Sequence, residues 1–225
     1  MRIESIRYDA SGAAIAAFSG GVVFSIPAAR LEELEPVAPG QDIRAYLEKA
    51  VSEKLVFEET DAFLLALRRI DAEERALSLA ARLCARAEQH SSSLELKLLS
   101  KGFNRGEIQR AMSILKAEGI LDDARYALFW ARARLRRRPQ GPRSLASELR
   151  ARGLGRDDVE SALACIDFSE ILPHALAYLE RQGKRARRAF DERLSLRASL
   201  IAQGFATSAV DSLLEARKEE EFSSS

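Results

Sequence analysis

Between Arg132 and Arg156 the chain carries nine arginines and a single acid, Glu148. A guanidinium is a planar fork that grips a phosphate through two parallel hydrogen bonds. Each phosphate so neutralised releases counterions, which makes binding strongly salt-dependent. The helix predicted over 124–138 organises part of this set: at roughly 100° per residue, Ala124, Leu128, Ala131 and Leu135 form an inner stripe. Arg125, Phe129, Arg132 and Arg136 form a second stripe beside it. The candidate contact residues are Arg125, Arg132, Arg136, Arg137, Arg143, Arg150 and Arg152. Arg181, Lys184, Arg185, Arg187 and Arg188 extend the basic run further along. Two readings stand side by side: contact with nucleic acid or another acidic surface, and a solvated face in a chain that prefers arginine to lysine. Tyr126 and Trp130 suit stacking on bases, but are read first as packing groups.

Other chemistries find no residue set. GxxxxGK[ST] and GxGxxG do not occur. His90 and His174 stand apart from any Cys/His ligand pattern, and His90 is expected to end a helix. Asp122-Asp123 and Asp157-Asp158 are adjacent pairs that point in different directions on a helix. At helix starts they serve as caps facing the positive dipole end. No catalytic residue, cofactor or metal site is therefore expected. Cys84 and Cys165 both fall in helical patterns and are expected as buried thiols. No apolar run approaches membrane-spanning length, and the N-terminus lacks a signal pattern. A cytoplasmic protein is the expectation, with no membrane contact.

The elements that position the arginines repeat. Ser92–Met112, Arg143–Leu163 and Leu194–Leu214 align without gaps at a spacing of 51 residues. Gly102, Gly153 and Gly204 coincide, with Leu98/Leu149/Leu200, Phe103/Leu154/Phe205 and Ile108/Val159/Val210 around them. Apolar positions with a fixed period mark stacked repeats. In each copy a short helix ends at the glycine, whose left-handed backbone costs little there. The apolar residue that follows folds back on the helix, as Phe103 on Leu98. Ser92 with Glu95 reads as a capping box, and Asn104 with Glu107 as a second. A longer helix precedes each pair, with Leu77, Ala80 and Cys84 aligned to Leu128, Ala131 and Leu135.

The expectation is a mainly α protein: three tandem three-helix repeats in an elongated curved array, behind a small β-meander-plus-helix region. The boundaries are 1–71, 72–122, 123–168, 169–217 and a frayed tail, 218–225. Strands are predicted at Arg2–Tyr8, Ala13–Phe18 and Val22–Ile26, and a short helix at Ala29–Leu34. A loop is predicted at Pro36–Gly40, and Asp42 caps a helix running to about Lys49. Val51–Glu59 has no clear pattern; Ala62–Ile70 is helical, with a break near Asp71. Met1–Arg75 holds 9 basic and 14 acidic residues, net −5, while Ala76–Ser225 is net +6. An acidic head on a basic body again points the body at a negative surface.

The run GILDDARYALFWARARLRR (Gly119–Arg137), with Gly141 and ELRARGL (Glu148–Leu154), resembles the RecX regulatory proteins of bacteria. LLSKGF and LIAQGF extend the likeness over roughly 73–217. The third copy departs from it at Ala209, where an acid is expected, and at Gln203, in place of a basic residue. The resemblance implies three tandem three-helix units, no enzymatic activity, and a monomer that binds the RecA recombinase filament. It would contact single-stranded DNA there and restrain filament extension, ATP hydrolysis and strand exchange. The alternative is a sequence-independent DNA-binding protein that needs no RecA.

Overall fold

Ala14, Ala16 and Phe18 alternate with Ile15 and Ala17, so a strand here turns one apolar face inward. In the computed structural model, which describes residues 1–34, 42–58, 60–183 and 192–223, this strand is the centre of a three-stranded antiparallel sheet. Its strands are β1 (Ile3–Tyr8), β2 (Ala14–Phe18) and β3 (Val22–Ile26). The register pairs Ile3 with Phe18, and Ala16 with Phe24. A 3-10 turn (Ala28–Glu33) follows, and then α1 (Ile43–Ser52), where Asp42 accepts from the Arg44 N–H at 3.0 Å. The stretch after α1 has no periodicity because the chain's first residues order it. The Phe57 N–H donates to the Met1 carbonyl at 2.6 Å, and Val56 bridges to Arg2. Phe57 is thereby buried in a core shared by the sheet, α1 and the next helix. The predicted loop at Pro36–Gly40 and the basic residues Lys184, Arg185, Arg187 and Arg188 lie outside the described residues.

No break occurs at Asp71. Helix α2 runs unbroken from Ala62 to Arg86. The polar run that suggested a break is accommodated by partners: Asp71 pairs with Arg75 at 3.7 Å, and buried Glu73 pairs with Arg30. Arg30 is itself buried and also holds Glu33 at 2.9 Å and Glu74 at 3.1 Å. Burial works against its charge, but these hydrogen bonds outweigh that and hold the guanidinium firmly protonated. From α4 (Arg105–Ala117), Arg110 reaches Glu33 and Glu73 at 3.1 and 3.3 Å.

The remaining helices are α3 (Ser91–Leu99), α5 (Asp123–Arg137), α6 (Pro142–Ala151), α7 (Arg156–Ala164), α8 (Phe168–Gly183), α9 (Glu192–Ala202) and α10 (Thr207–Ser223). The chain forms two compact units: Met1–Arg86 with Glu95–Ile120, and Ala87–Leu94 with Leu121–Ser225. The capping box at Asn104 and Glu107 is present. The one expected at Ser92 is not, and His90 begins a helix rather than ending one. Its Nδ1 accepts from the Ser93 N–H at 3.4 Å, which leaves the Ser92 hydroxyl for another partner. Cys165 closes α7 and is exposed, and Cys84 is half-buried, so neither is the buried thiol expected. Helix α10 continues to Ser223, through most of the predicted tail.

Gly102, Gly153 and Gly204 have φ of +87°, +89° and +90°. After each, the two N–H groups bond back in the double pattern of a Schellman ending: Gly153 to Arg150 and Leu154 to Leu149, at 2.9 and 3.4 Å, for example. Within the second unit these turns also meet the start of another helix. The Ser92 hydroxyl donates to the Gly153 carbonyl at 2.6 Å. One repeat later, the N–H groups of Gly141 and Arg143 donate to the carbonyls of Gln203 and Gly204 at 2.8 and 3.2 Å. A Cβ on Gly204 would sit 2.4 Å from the Ser144 nitrogen, and one on Gly153 2.8 Å from the Ser92 hydroxyl. A Cβ on Gly102 would meet nothing within 4 Å.

The three alanine variants should therefore rank. Gly102→Ala carries only the left-handed backbone cost, about 1 kcal/mol. Gly153→Ala should cost more, because the Ser92 side chain must shift, and Gly204→Ala most, because backbone must move. Urea midpoints followed by circular dichroism, and for the second unit by Trp130 fluorescence, check this. Equal losses at all three sites would reject the joint.

Candidate nucleic-acid interface

Helix α5 is built to hold its arginines in order. Asp122 caps it, accepting from the Arg125 N–H at 2.8 Å, and Asp123 accepts from the Ser91 N–H at 2.7 Å. Arg134, Arg136 and Arg137 lie in the last turn, where the dipole favours positive charge. The buried stripe is Ala127, Ala131 and Leu135. It is rotated from the predicted one: Ala124 and Leu128 are only half-buried and Ala127 is fully enclosed, because α7 and α6 close on that side.

Arg125, Phe129, Arg132 and Arg136 are all exposed, a stripe about 16 Å long at helical rise. The one acid of the basic segment is already engaged. Glu148 takes a forked pair from Arg134 at 2.9 and 3.2 Å and a third bond from Gln140 at 3.0 Å. Arg125 pairs with Glu88 at 2.5 Å. Among the described residues, no carboxylate lies in ion-pair distance of Arg132, Arg136 or Arg137.

The structure sorts the seven predicted arginines rather than gathering them. Arg125, Arg132 and Arg136 share the α5 stripe, and Arg137 follows at its end. Arg143 and Arg150 border a groove on α6 and α7, together with Arg156, which sequence reasoning passed over. Its recurrence as Arg105 one repeat earlier was the available signal. Arg152 is exposed and lies over the Trp130 ring at 4.7 Å. Tyr126 lies against His90, with ring centroids 4.7 Å apart. The aromatic left in the open is Phe129, 60% exposed in the middle of the arginine stripe. Arg181 is exposed on α8.

The sequence and the fold both have relatives. The family described as "RecX, second three-helix domain" matches residues 122–163, which hold α5, α6 and α7. Regulatory protein RecX of Treponema pallidum (strain Nichols) is 34% identical over 130 residues, covering 56% of this chain and 77% of that one. The chain belongs to the RecX family. Regulatory protein RecX of Thermus thermophilus is 37% identical over 109 residues, 48% of this chain and 75% of its own. A crystal structure of regulatory protein RecX superposes with a TM-score of 0.64 at 18% identity, covering 93% of this chain and 97% of its own. RecX from Lactobacillus salivarius gives 0.58 at 17% identity, over 65% and 96%. These two share the mainly helical fold, and RecX relatives are named regulatory proteins. No single described helix is long and apolar enough to cross a membrane.

The Arg134–Glu148–Gln140 cluster makes a pH prediction. Hydrogen bonding from Arg134 holds the Glu148 carboxyl below its ordinary value of 4.5, against the opposing effect of burial. A depressed carboxyl contributes stability above its unfolded pKa and loses it as pH falls through the folded one. The second unit should thus hold its stability from pH 7 to about 5 and lose this contribution below about pH 4.5. Glu148→Gln should flatten that part of the acid profile, read by Trp130 fluorescence. An identical profile in the variant would mean the pair is too well screened to matter.

Proposed function

We propose that this chain regulates the RecA recombinase by binding the RecA–single-stranded DNA filament and restraining its extension, ATP hydrolysis and strand exchange. One observation supports the reading: the helix at the start of the matched segment presents exposed Arg132 and Arg136, with no carboxylate partner among the described residues. Unpaired guanidinium groups in a fixed row suit the phosphates of a strand held in an extended polymer. The helix triplets α2–α4, α5–α7 and α8–α10 act as three repeats along that partner, and the protein works as a single chain without enzymatic activity or cofactor. Phe129 favours a second reading, in which the stripe binds single strands directly by stacking and needs no RecA.

Single-stranded-DNA-dependent ATP hydrolysis by RecA from the same organism separates the two. The filament reading expects steep inhibition at far less than one regulator per RecA. Inhibition only at amounts that coat the DNA would instead establish the direct DNA binder. Arg132→Glu with Arg136→Glu should weaken filament binding about tenfold or more at low salt. If both arginines meet phosphate, the slope of log affinity against log salt should fall by about 1.4, at 0.7 per single-strand contact. Unchanged affinity and slope would remove these two residues from the interface.

A further inference from the structure

The repeats share more than their glycines. In the second unit a groove of about 490 Å³ runs between α6 and α7, with Ala146, Val159, Leu163 and Phe168 as its apolar lining. Arg143, Arg150 and Arg156 border it against one acid, Glu160, which Arg156 already holds at 2.7 Å. In the first unit a groove of about 390 Å³ runs between α3 and α4, with Ile108 and Met112 in its lining and Arg105, Lys116 and Glu95 around them. The two grooves are the same place in the repeat. Arg105, Ile108, Met112 and Ser113 of the first stand 51 residues before Arg156, Val159, Leu163 and Ala164 of the second. The third copy differs there. Arg197 and Asp211, at the positions of Ala146 and Glu160, form a forked ion pair of 2.6 and 3.0 Å from α9 to α10. Thr207 replaces the arginine.

An apolar lining with a cationic border does not suit a nucleic-acid backbone, whose phosphates lose hydration against apolar surface without a partner. It suits a peptide segment that buries an apolar side chain and sets carboxylates against the arginines. Duplication adds a second constraint. One chain that offers the same groove twice fits a partner that offers the same element repeatedly, and two weak contacts on one polymer reinforce each other. We propose that these two grooves dock an acidic protein segment with an apolar anchor, presented by successive identical subunits of a polymeric partner. This rests on the filament reading above and assigns it the protein contact, leaving the α5 stripe to the DNA.

Ser113 and Ala164 are exposed equivalents at the groove edges on α4 and α7, where a glutamate is tolerated in a helix. Ser113→Glu, Ala164→Glu and the double variant would be compared with wild type for binding to RecA filaments on single-stranded DNA, and to the same labelled oligonucleotide without RecA. Thermal melts would confirm the fold. Each single variant is expected to weaken filament binding about tenfold and the double variant about a hundredfold, with naked-DNA affinity kept within twofold. Filament binding equal to wild type would overturn the proposal, as would a parallel fall on naked DNA, which would make the grooves nucleic-acid contacts. Wild type that binds the oligonucleotide but gains nothing from RecA would overturn the filament reading itself, and this proposal with it.

Discussion

Two helix ends meeting across a bare glycine is the constraint on which the second unit depends. A helix leaves its last carbonyls and first N–H groups unpaired. At Gly141–Arg143 those N–H groups find the carbonyls of Gln203 and Gly204 rather than a side-chain cap. At the preceding joint the Ser92 hydroxyl reaches the Gly153 carbonyl. The glycines meet two demands at once there: a positive φ that ends one helix, and a bare surface that lets the next approach. A substitution that satisfied one demand would still fail the other. This makes the period of 51 residues a packing distance as well as a sequence feature.

With the joint fixed, charge is the next matter to be partitioned. Of the nine arginines between Arg132 and Arg156, Arg134 holds Glu148, Arg156 holds Glu160 and Arg152 covers Trp130. Such contacts engage a cation at little net gain in stability, since exposed ion pairs contribute little. What they do is decide which cations remain. Among the described residues, Arg132 and Arg136 of the α5 stripe stay unpaired, while Glu148, the one acid within the segment, is held by Arg134. In the first unit Arg30, Arg69 and Arg110 converge on Glu33, Glu73 and Glu74, and that charge serves packing.

Local rules made much of this legible. The strands, the Asp42 and Asp122 caps, the Asn104 box and the three glycine turns each depend on a few neighbouring residues. The failures have a common cause, a partner distant in sequence. Asp71–Glu74 read as a break until Arg30, far back in the chain, neutralised Glu73. Phe57 had no pattern because Met1 and Arg2 order it. Ser92 matched a capping box, yet Gly153 takes its hydroxyl. The α5 stripe was visible as a periodicity. Which arginines of α5 would be engaged by acids was not, since Glu88 lies in the connection between α2 and α3 and Glu148 enters from α6.

The third copy shows why recurrence and identity of role must be kept apart. It retains the glycine, the double turn and the apolar face of Leu200, Phe205, Val210 and Leu214. It also supplies the carbonyls on which α6 begins. Yet Arg197 and Asp211 bridge the place where the other two copies are open, and no arginine begins α10. An ion pair of that kind gives up two charges, which suits a copy whose turn serves the neighbouring helix. Gln203 fits the same account: a basic residue there would be buried at the joint, where a neutral amide costs far less to enclose. The departures from the repeat are thus concentrated where the third copy packs, and the two copies before it keep the features by which a surface can recognise a partner.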